Sequence, residues 1–194
     1  MVNPKDVKKN NGTQCGDVLI LTKPLGVGLT LNALRMNDCS KEMQERVFKS
    51  MTTLNKYACD VLKKYDVHAL TDVTGFGLLV HLNEMLDEKN SAVIYKDSIP
   101  YFDDCQKYVE EFYLSGAAQT NRNSVEGKIS FDCDFFTEEI LFDPQTSGGL
   151  LASVSKADLE MLEKDFKENN LELYVVGEVI EKNEYNVYVR GRKI

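Results

Sequence analysis

The chain has 194 residues and carries 31 acidic against 23 basic side chains, a formal net charge of −8. This balance argues against non-specific nucleic-acid binding, which depends on basic side chains that neutralise phosphates. No apolar run approaches the roughly 20 residues of a membrane span, and a 43% apolar content is sufficient for an ordinary core. We therefore expect neither nucleic-acid nor membrane partners.

Cysteine usage points to a reducing compartment. The five cysteines are widely and irregularly spaced, with no C-x-x-C pair, and the chain has only two histidines. This pattern argues against a structural zinc site and favours free thiols. The N-terminus lacks the apolar segment of a signal peptide, so we expect a cytoplasmic protein.

The N-terminal part reads as a linker, a strand and a long helix. Residues 1–16 are polar and aperiodic, which is typical of a linker, and we place a domain at residues 17–194. Residues 17–22 predict a buried strand, which Pro24 and two following glycines end. Beyond Ser40 an apolar stripe with a period near 3.6 predicts one long helix, and it consists of Met43, Val47, Met51, Leu54, Ala58, Val61, Leu62 and Tyr65.

The remainder alternates irregularly between strands and helices, which favours an α+β domain with a mixed β-sheet packed with α-helices. A capping box at residues 155–158 predicts a helix to about Lys167. Helices are also predicted just past Gly77 and at 103–112, with a loop at 115–123. Strands are predicted at 67–70, 91–95, 128–131, 150–154, 174–180 and 185–189, the last two joined by a turn at 182–184.

The segment T-D-V-T-G-F-G, residues 71–77, is the most informative motif. It places one carboxylate, Asp72, and two glycines at the start of a helix, where backbone amides and a carboxylate suit a phosphate and its divalent cation. A second interpretation stays open, in which Asp72 or Thr74 only caps the helix and the glycines serve the turn. The segment is neither a Walker A loop nor a Rossmann fingerprint.

Other polar positions also have two interpretations. Residues 143–149 (D-P-Q-T-S-G-G) suit either an anion-binding nest or an ordinary turn. Lys23 either contacts a phosphate or is a solvated side chain. His68 is either a packed or capping histidine or a metal ligand. We assign His81 to the flank of its helix. No Ser-His-Asp or Cys-His arrangement is evident.

Five sequence blocks, taken together and in this order, closely resemble the C-terminal half of selenophosphate synthetase (selenide, water dikinase). They are G-D-V-L-I-L-T-K-P-L-G at 16–26, H-A-L-T-D-V-T-G-F-G-L-L at 68–79, N-R-N at 121–123, D-P-Q-T-S-G-G-L-L at 143–151 and G-E-V at 177–179. The similarity extends from about Val2 to the end of the chain.

The resemblance implies the PurM-like C-terminal domain of the AIR-synthetase superfamily and an enzyme that converts ATP, selenide and water to selenophosphate, orthophosphate and AMP. It implies that Asp72 is a Mg²⁺ ligand and that Thr71, Thr74, Gly75 and Gly77 lie near the ATP phosphates. The family's reactive Cys or Sec and its Lys belong to an N-terminal domain with no counterpart in this sequence. We therefore expect no catalytic residue here, an inactive isolated chain that is a monomer or weak dimer, and a homodimeric full-length enzyme.

Two alternatives remain open at this point. One is another ATP-using enzyme of the same superfamily, such as an aminoimidazole-ribonucleotide or thiamine-phosphate enzyme. The other is a non-catalytic binding module.

Overall fold

A single mixed β-sheet forms the frame of the protein, whose structure, a computed structural model, describes residues 7–192. Within that range the sheet has seven strands in the order β2-β5-β1-β6-β3-β7-β4. The strands are β1 (Val18–Leu21), β2 (Val67–Asp72), β3 (Asn90–Tyr95), β4 (Ile129–Phe131), β5 (Leu150–Val154), β6 (Tyr174–Glu181) and β7 (Val187–Arg190). The pairs of β7 with β3 and with β4 are parallel and the others antiparallel, which confirms the predicted mixed sheet.

Eight α-helices accompany the sheet in the described residues. They are α1 (Val27–Arg35), α2 (Lys41–Thr52), α3 (Lys56–Leu62), α4 (Gly77–Met85), α5 (Cys105–Glu110), α6 (Gly116–Ser124), α7 (Phe135–Phe142) and α8 (Leu159–Glu168). Helices and strands alternate without the regular βαβ order of a doubly wound domain, so the α+β prediction is confirmed.

The sheet is covered on both faces, and β1 shows this most directly. Leu19 and Leu21 belong to a large apolar cluster with α1, α2 and α4–α7, whereas Val18 and Ile20 belong to a smaller cluster with α3 and α8. Because alternate side chains of a strand point to opposite faces, a strand buried on both sides reads as a continuous apolar run. That is the pattern seen at residues 17–22.

The prediction of one long helix after Ser40 is wrong, because the structure has two helices there, α2 and α3. The chain leaves the helix at Thr53, which is extended (φ −71°, ψ 121°), and resumes helical structure at Lys56. Leu54, counted in the apolar stripe, is 61% exposed, and Tyr65 lies beyond the end of α3. The side chain of Asn55 instead donates to the carbonyl oxygen of Gly148 (2.8 Å), which ties the break to the 143–149 loop.

Three helices were not predicted from the sequence. Residues 115–123, expected to be a loop, form α6, whose N-cap Ser115 accepts a hydrogen bond from the Ala117 amide. Helices α1 and α7 were not anticipated. At 155–158 the chain forms a 3₁₀ turn before α8, and Ser155 makes no side-chain cap, so the predicted capping box is absent.

The two C-terminal strands do not form the expected hairpin. Strands β6 and β7 both pair with β3, which lies between them. The register of β6 and of β7 is therefore fixed by their pairing with β3 and not by the turn at 182–184.

Part of the predicted linker is in contact with the domain. Residues 1–6 lie outside the described range, as does Val2, where the family resemblance begins. The carbonyl oxygen of Lys9 accepts a hydrogen bond from the Leu70 amide (2.9 Å), and the Gly16 amide donates to Val179 (2.9 Å). Residues 9–16 therefore run from β2, at one edge of the sheet, to β6 at its centre.

Candidate functional site

The 71–77 loop connects β2, which ends at Asp72, to α4, which begins at Gly77. The Val73 amide donates to the carbonyl oxygen of Gly149 (2.8 Å), and the carbonyl oxygen of Thr74 accepts from the amides of Gln145 and Gly77 (3.0 Å each). Most of this loop is thus held by backbone contacts, several of them to the 143–149 loop. The two motifs singled out in the sequence are direct neighbours.

His81 anchors the same loop from inside α4. Its Nε2 accepts a hydrogen bond from the Thr74 amide (3.2 Å) and lies 3.2 Å from the Thr74 hydroxyl. The ring is 7% exposed, and Nδ1 lies 3.5 Å from a carboxylate oxygen of Glu84. The assignment of His81 to a helix flank was therefore wrong, since a period-3.6 pattern does not reveal a contact back to the preceding loop.

The 143–149 loop caps α1 from across the molecule. A carboxylate oxygen of Asp143 accepts from the Gly28 amide (2.9 Å), and the Gln145 side-chain oxygen accepts from the Val27 amide (3.2 Å). The Gln145 side-chain amide in turn donates to Asp143. Free amides at a helix N-terminus need acceptors, and here they come from residues more than a hundred positions away.

Asp143 is a buried carboxylic acid, 1% exposed. Burial raises its pKa to about 7, although the amides of Leu29 and Gly28 and the side chain of Gln145 favour the charged form. The negative charge of Glu139 acts in the same direction as burial. Asp143 is therefore a structural acid at the N-terminus of α1, with its side chain directed into the protein.

An open cleft of about 1000 Å³ lies at the end of β2, and we call it the Asp72 cleft. Asp72 and Thr71 line it together with Lys8, Lys9 and Lys56. Asp72 is exposed, and it is the single acid lining the cleft in the described part of the chain. A cleft with one carboxylate and three ammonium groups is suited to a polyanion, particularly one accompanied by a cation.

The other candidate residues of the loop have different positions. Thr74, Gly75 and Gly77 do not line the Asp72 cleft, and Gly77 is buried. Gly75 and Phe76 are exposed, and among residues 7–192 their amides have no acceptor. The amides free for an incoming anion are thus those of residues 75 and 76.

Lys23 and His68, both ambiguous in the sequence, have well-defined partners. Lys23 is 6% exposed and donates to the carbonyl oxygens of Thr53 (2.8 Å) and Ser147 (2.9 Å), so it is not a solvated side chain. His68 is packed between two acids, with Nδ1 2.9 Å from Asp17 and Nε2 3.1 Å from Asp66. Across residues 7–192, no three His, Cys, Asp or Glu side chains are grouped closely enough to hold a metal ion.

Comparison with known families agrees with this architecture. The family described as AIR synthase related protein, C-terminal domain, matches residues 14–190. The chain belongs to this family. The match takes in every strand and helix of the AIR synthase related domain described above.

Two curated relatives of this chain are selenide, water dikinases. A selenide, water dikinase from Agathobacter rectalis is 43% identical over 190 residues, 97% of this chain and 56% of the relative. Another of the same name, from Desulfitobacterium hafniense, is 40% identical over 187 residues, 96% of this chain and 55% of the relative. The chain therefore spans slightly more than half the length of these relatives.

Solved structures share the fold at low identity. Thiamine-monophosphate kinase from Stenotrophomonas maltophilia superposes with a TM-score of 0.68 at 16% identity, over 100% of this chain and 56% of that one. Hydrogenase maturation protein HypE in complex with ATP superposes with a TM-score of 0.64 at 16% identity, over 94% of this chain and 48% of that one. Both likenesses establish the PurM-like fold. In the described residues, no helix has the length and apolar character needed to cross a membrane.

Proposed function

We propose that residues 17–194 form the C-terminal domain of a selenide, water dikinase, with residues 1–16 as its interdomain linker. The observation that carries this proposal is the 43% identity to a relative of that name over 97% of the chain. The reaction would convert ATP, selenide and water to selenophosphate, orthophosphate and AMP. We place the enzyme in the cytoplasm.

Asp72 is the residue of this chain proposed to bind Mg²⁺. Its exposed carboxylate lines a cleft that also contains Lys8, Lys9 and Lys56. Mg²⁺ commonly binds through one or two carboxylates together with substrate phosphates, so a single carboxylate fits a site that is completed by the nucleotide and by other ligands. When bound, the ion would neutralise charge on the ATP phosphates.

The remaining loop residues would shape the phosphate end of the site. The exposed amides of Gly75 and Phe76 are available to phosphate oxygens, which favour the amides that precede a helix. Thr71 lines the cleft beside Asp72, and Thr74 fixes the loop through His81. Gly77 lies against the carbonyl oxygen of Phe142 at the start of α4, so closely that there is no room for a Cβ atom at this position.

The reactive Cys or Sec and its Lys are expected in the part of the relatives that this chain does not match. The chain alone is therefore proposed to be inactive and to be a monomer or weak dimer, whereas the full enzyme is a homodimer. AMP formation from ATP and selenide by residues 1–194 alone would contradict this assignment.

A fusion tests the proposal directly. The N-terminal part of the Agathobacter rectalis relative, joined to this chain, should form AMP and selenophosphate from ATP and selenide under anaerobic conditions, followed by ³¹P NMR. In that fusion Asp72→Asn should reduce AMP formation by at least about a hundredfold, the scale of losing a group that stabilises transition-state charge.

The matched control is Asp132→Asn, which removes an exposed carboxylate outside the cleft. It should retain normal turnover and the same far-UV circular dichroism. Near-normal turnover of Asp72→Asn would contradict the ligand assignment, and a fusion that folds but makes no selenophosphate would contradict the proposed reaction.

A second candidate is a different ATP-using member of the same superfamily. The observation behind this candidate is the fold shared with thiamine-monophosphate kinase, at a TM-score of 0.68. The same fusion separates the two, because phosphorylation of thiamine monophosphate without selenide-dependent AMP formation would support the second candidate.

A further inference from the structure

A buried lysine that has no acidic partner among residues 7–192 marks a second site, away from Asp72. Lys23 follows β1 and is 6% exposed, and its ammonium group donates to the carbonyl oxygens of Thr53 and Ser147. No carboxylate among residues 7–192 forms an ion pair with it. A buried charge is costly unless it is paired, and a lysine has three N–H donors, of which two are used here.

Lys23 lies on the wall of a cavity of about 340 Å³, which we call the Lys23 pocket. Arg46 and Lys49 from α2 line the same cavity, as do the hydroxyl-bearing Ser50 and Thr53. Glu172 is the one acid among the lining residues in the described part of the chain. The pocket therefore carries three positive groups against one negative group, in a protein whose overall charge is −8.

One of these cations is already partly neutralised. Arg46 forms an ion pair with Asp103 at 2.6 Å, and both side chains are largely exposed. Lys49 has no acidic partner within residues 7–192. Lys23 and Lys49 are consequently the two cations of the pocket whose charge no acid of the described chain compensates.

The pocket is separate from the Asp72 cleft. The two share Asn55 as a lining residue, but the acid and the lysines of the Asp72 cleft do not line the Lys23 pocket. Burial lowers the pKa of Lys23, and a bound anion would favour its charged form. The Lys23 pocket therefore has the composition of an anion site that needs no divalent cation.

We propose that the Lys23 pocket binds a tetrahedral oxyanion, either inorganic phosphate or the phosphate group of a small phosphomonoester. The third N–H of Lys23 and the ammonium of Lys49 supply the charged donors, and the hydroxyl of Ser50 supplies a neutral one. Charge-assisted hydrogen bonds of this kind are short and strong, and they suit phosphate oxygens. The proposal does not depend on the selenide, water dikinase assignment.

The test is phosphate binding by the 194-residue chain, with EDTA present so that no divalent cation contributes. Inorganic phosphate, sulfate and AMP are titrated at constant ionic strength, with chloride as the balancing anion, and binding is followed by calorimetry and by the midpoint of thermal unfolding. We expect saturable binding of phosphate and sulfate, and tighter binding of AMP if the natural ligand is a phosphomonoester.

Lys49→Glu should weaken phosphate binding roughly tenfold or more, the loss expected for one charged hydrogen bond. Its matched control is Lys41→Glu, the same change in charge at an exposed position of the same helix that does not line the pocket. This variant should bind phosphate as the wild type does. Lys23→Gln should abolish binding, and circular dichroism reports whether that variant is folded.

Three results would overturn the proposal. They are the absence of saturable phosphate binding by the wild type, equal losses in Lys49→Glu and Lys41→Glu, and unchanged binding in Lys49→Glu. If Lys23→Gln does not fold, the comparison of Lys49 with Lys41 still decides the question. The phosphate titrations contain EDTA, whereas the Mg²⁺ assignment is tested by the turnover of the fusion with Mg²⁺ present. A failure of this proposal is therefore distinguishable from a failure of the Mg²⁺ assignment.

Discussion

The side-chain amide of Asn121 donates to the carbonyl oxygen of Gly75 at 2.9 Å and to that of Phe142 at 3.1 Å. One buried side chain on α6 therefore connects the 71–77 loop to the last residue of α7. The loop that carries Asp72 is thus positioned by a helix more than forty residues away in the sequence. Neighbouring Arg122 contacts Glu139 on α7 at 2.6 Å and reinforces the same junction.

Asn121→Ala should lower the free energy of unfolding by about 1–3 kcal/mol, because it leaves a buried carbonyl group without its donor. Urea unfolding measures the effect. The control is Gln119→Ala on the same helix, where an exposed side chain bonds only to Asn123, and its effect should stay within about 0.5 kcal/mol. Equal effects of the two substitutions would show that Asn121 has no special role in anchoring the loop.

Gly77→Ala should destabilise the protein by at least about 2 kcal/mol. Gly77 has φ +72°, and a Cβ atom there would lie 2.8 Å from the Phe142 carbonyl oxygen; the left-handed conformation alone costs a residue with a Cβ roughly 1–2 kcal/mol. Gly75→Ala is the matched control, since no heavy atom of residues 7–192 other than those of its chain neighbours lies within 4 Å of its Cβ position. The midpoint of thermal unfolding should fall clearly in Gly77→Ala and change little in Gly75→Ala. A larger fall in Gly75→Ala would contradict this description of the loop.

Asp143 predicts a pH dependence of stability with a definite sign. Its pKa rises from 3.8 to about 7 in the folded protein, so between these values the folded state holds more protons than the unfolded state. The free energy of unfolding should therefore fall as pH rises from about 4 to 7 and level off above 7. The decrease in the free energy of unfolding should be at most about 4 kcal/mol, which is the free energy that corresponds to a pKa shift of this size.

The measurement is the difference in unfolding free energy between the wild type and Asp143→Asn across pH 4–8, in which most other titrations cancel. Asp132→Asn provides the control, because this exposed acid should give a much flatter difference. A flat difference for Asp143→Asn would show that this carboxyl group ionises in the folded protein as it does in solution.

His68 predicts the complementary behaviour near neutrality. Burial alone lowers the pKa of His68, but the hydrogen bond and charge of Asp17, with the help of Asp66, outweigh burial and raise it above 6.5. The stability from charged His68 should be fully present below pH 6.5 and be lost as pH rises through the folded pKa. The difference between wild type and His68→Gln should shrink over that interval.

NMR titration of the His68 ring checks the cause. Asp17, buried and 2.9 Å from Nδ1, should raise the His68 pKa more than exposed Asp66 does. Asp17→Asn should therefore lower the His68 pKa further than Asp66→Asn does. The opposite order would show that Asp66, and not Asp17, is the main cause of the raised pKa.

Local sequence patterns predicted those elements that carry their own signals. The apolar run of β1 and the helix that follows Gly77 were both found because burial on two faces and a 3.6-residue period are visible in short windows. Helix α1 was missed because Gly26, its N-cap, provides no side-chain acceptor. The break between α2 and α3 was missed because the apolar period continues across it while Asn55 bonds to Gly148.

The sequence alone determined the family, the α+β class and the motif that contains Asp72, because these depend on residue order and short-range periodicity. Tertiary structure alone determined that Gln145 and Asp143 cap α1, that His81 and Asn121 hold the 71–77 loop, and that buried Lys23 donates to the carbonyl oxygens of Thr53 and Ser147. Each of these contacts joins a side chain to a backbone group brought near by the sheet, and backbone partners leave no pattern in the order of residue types.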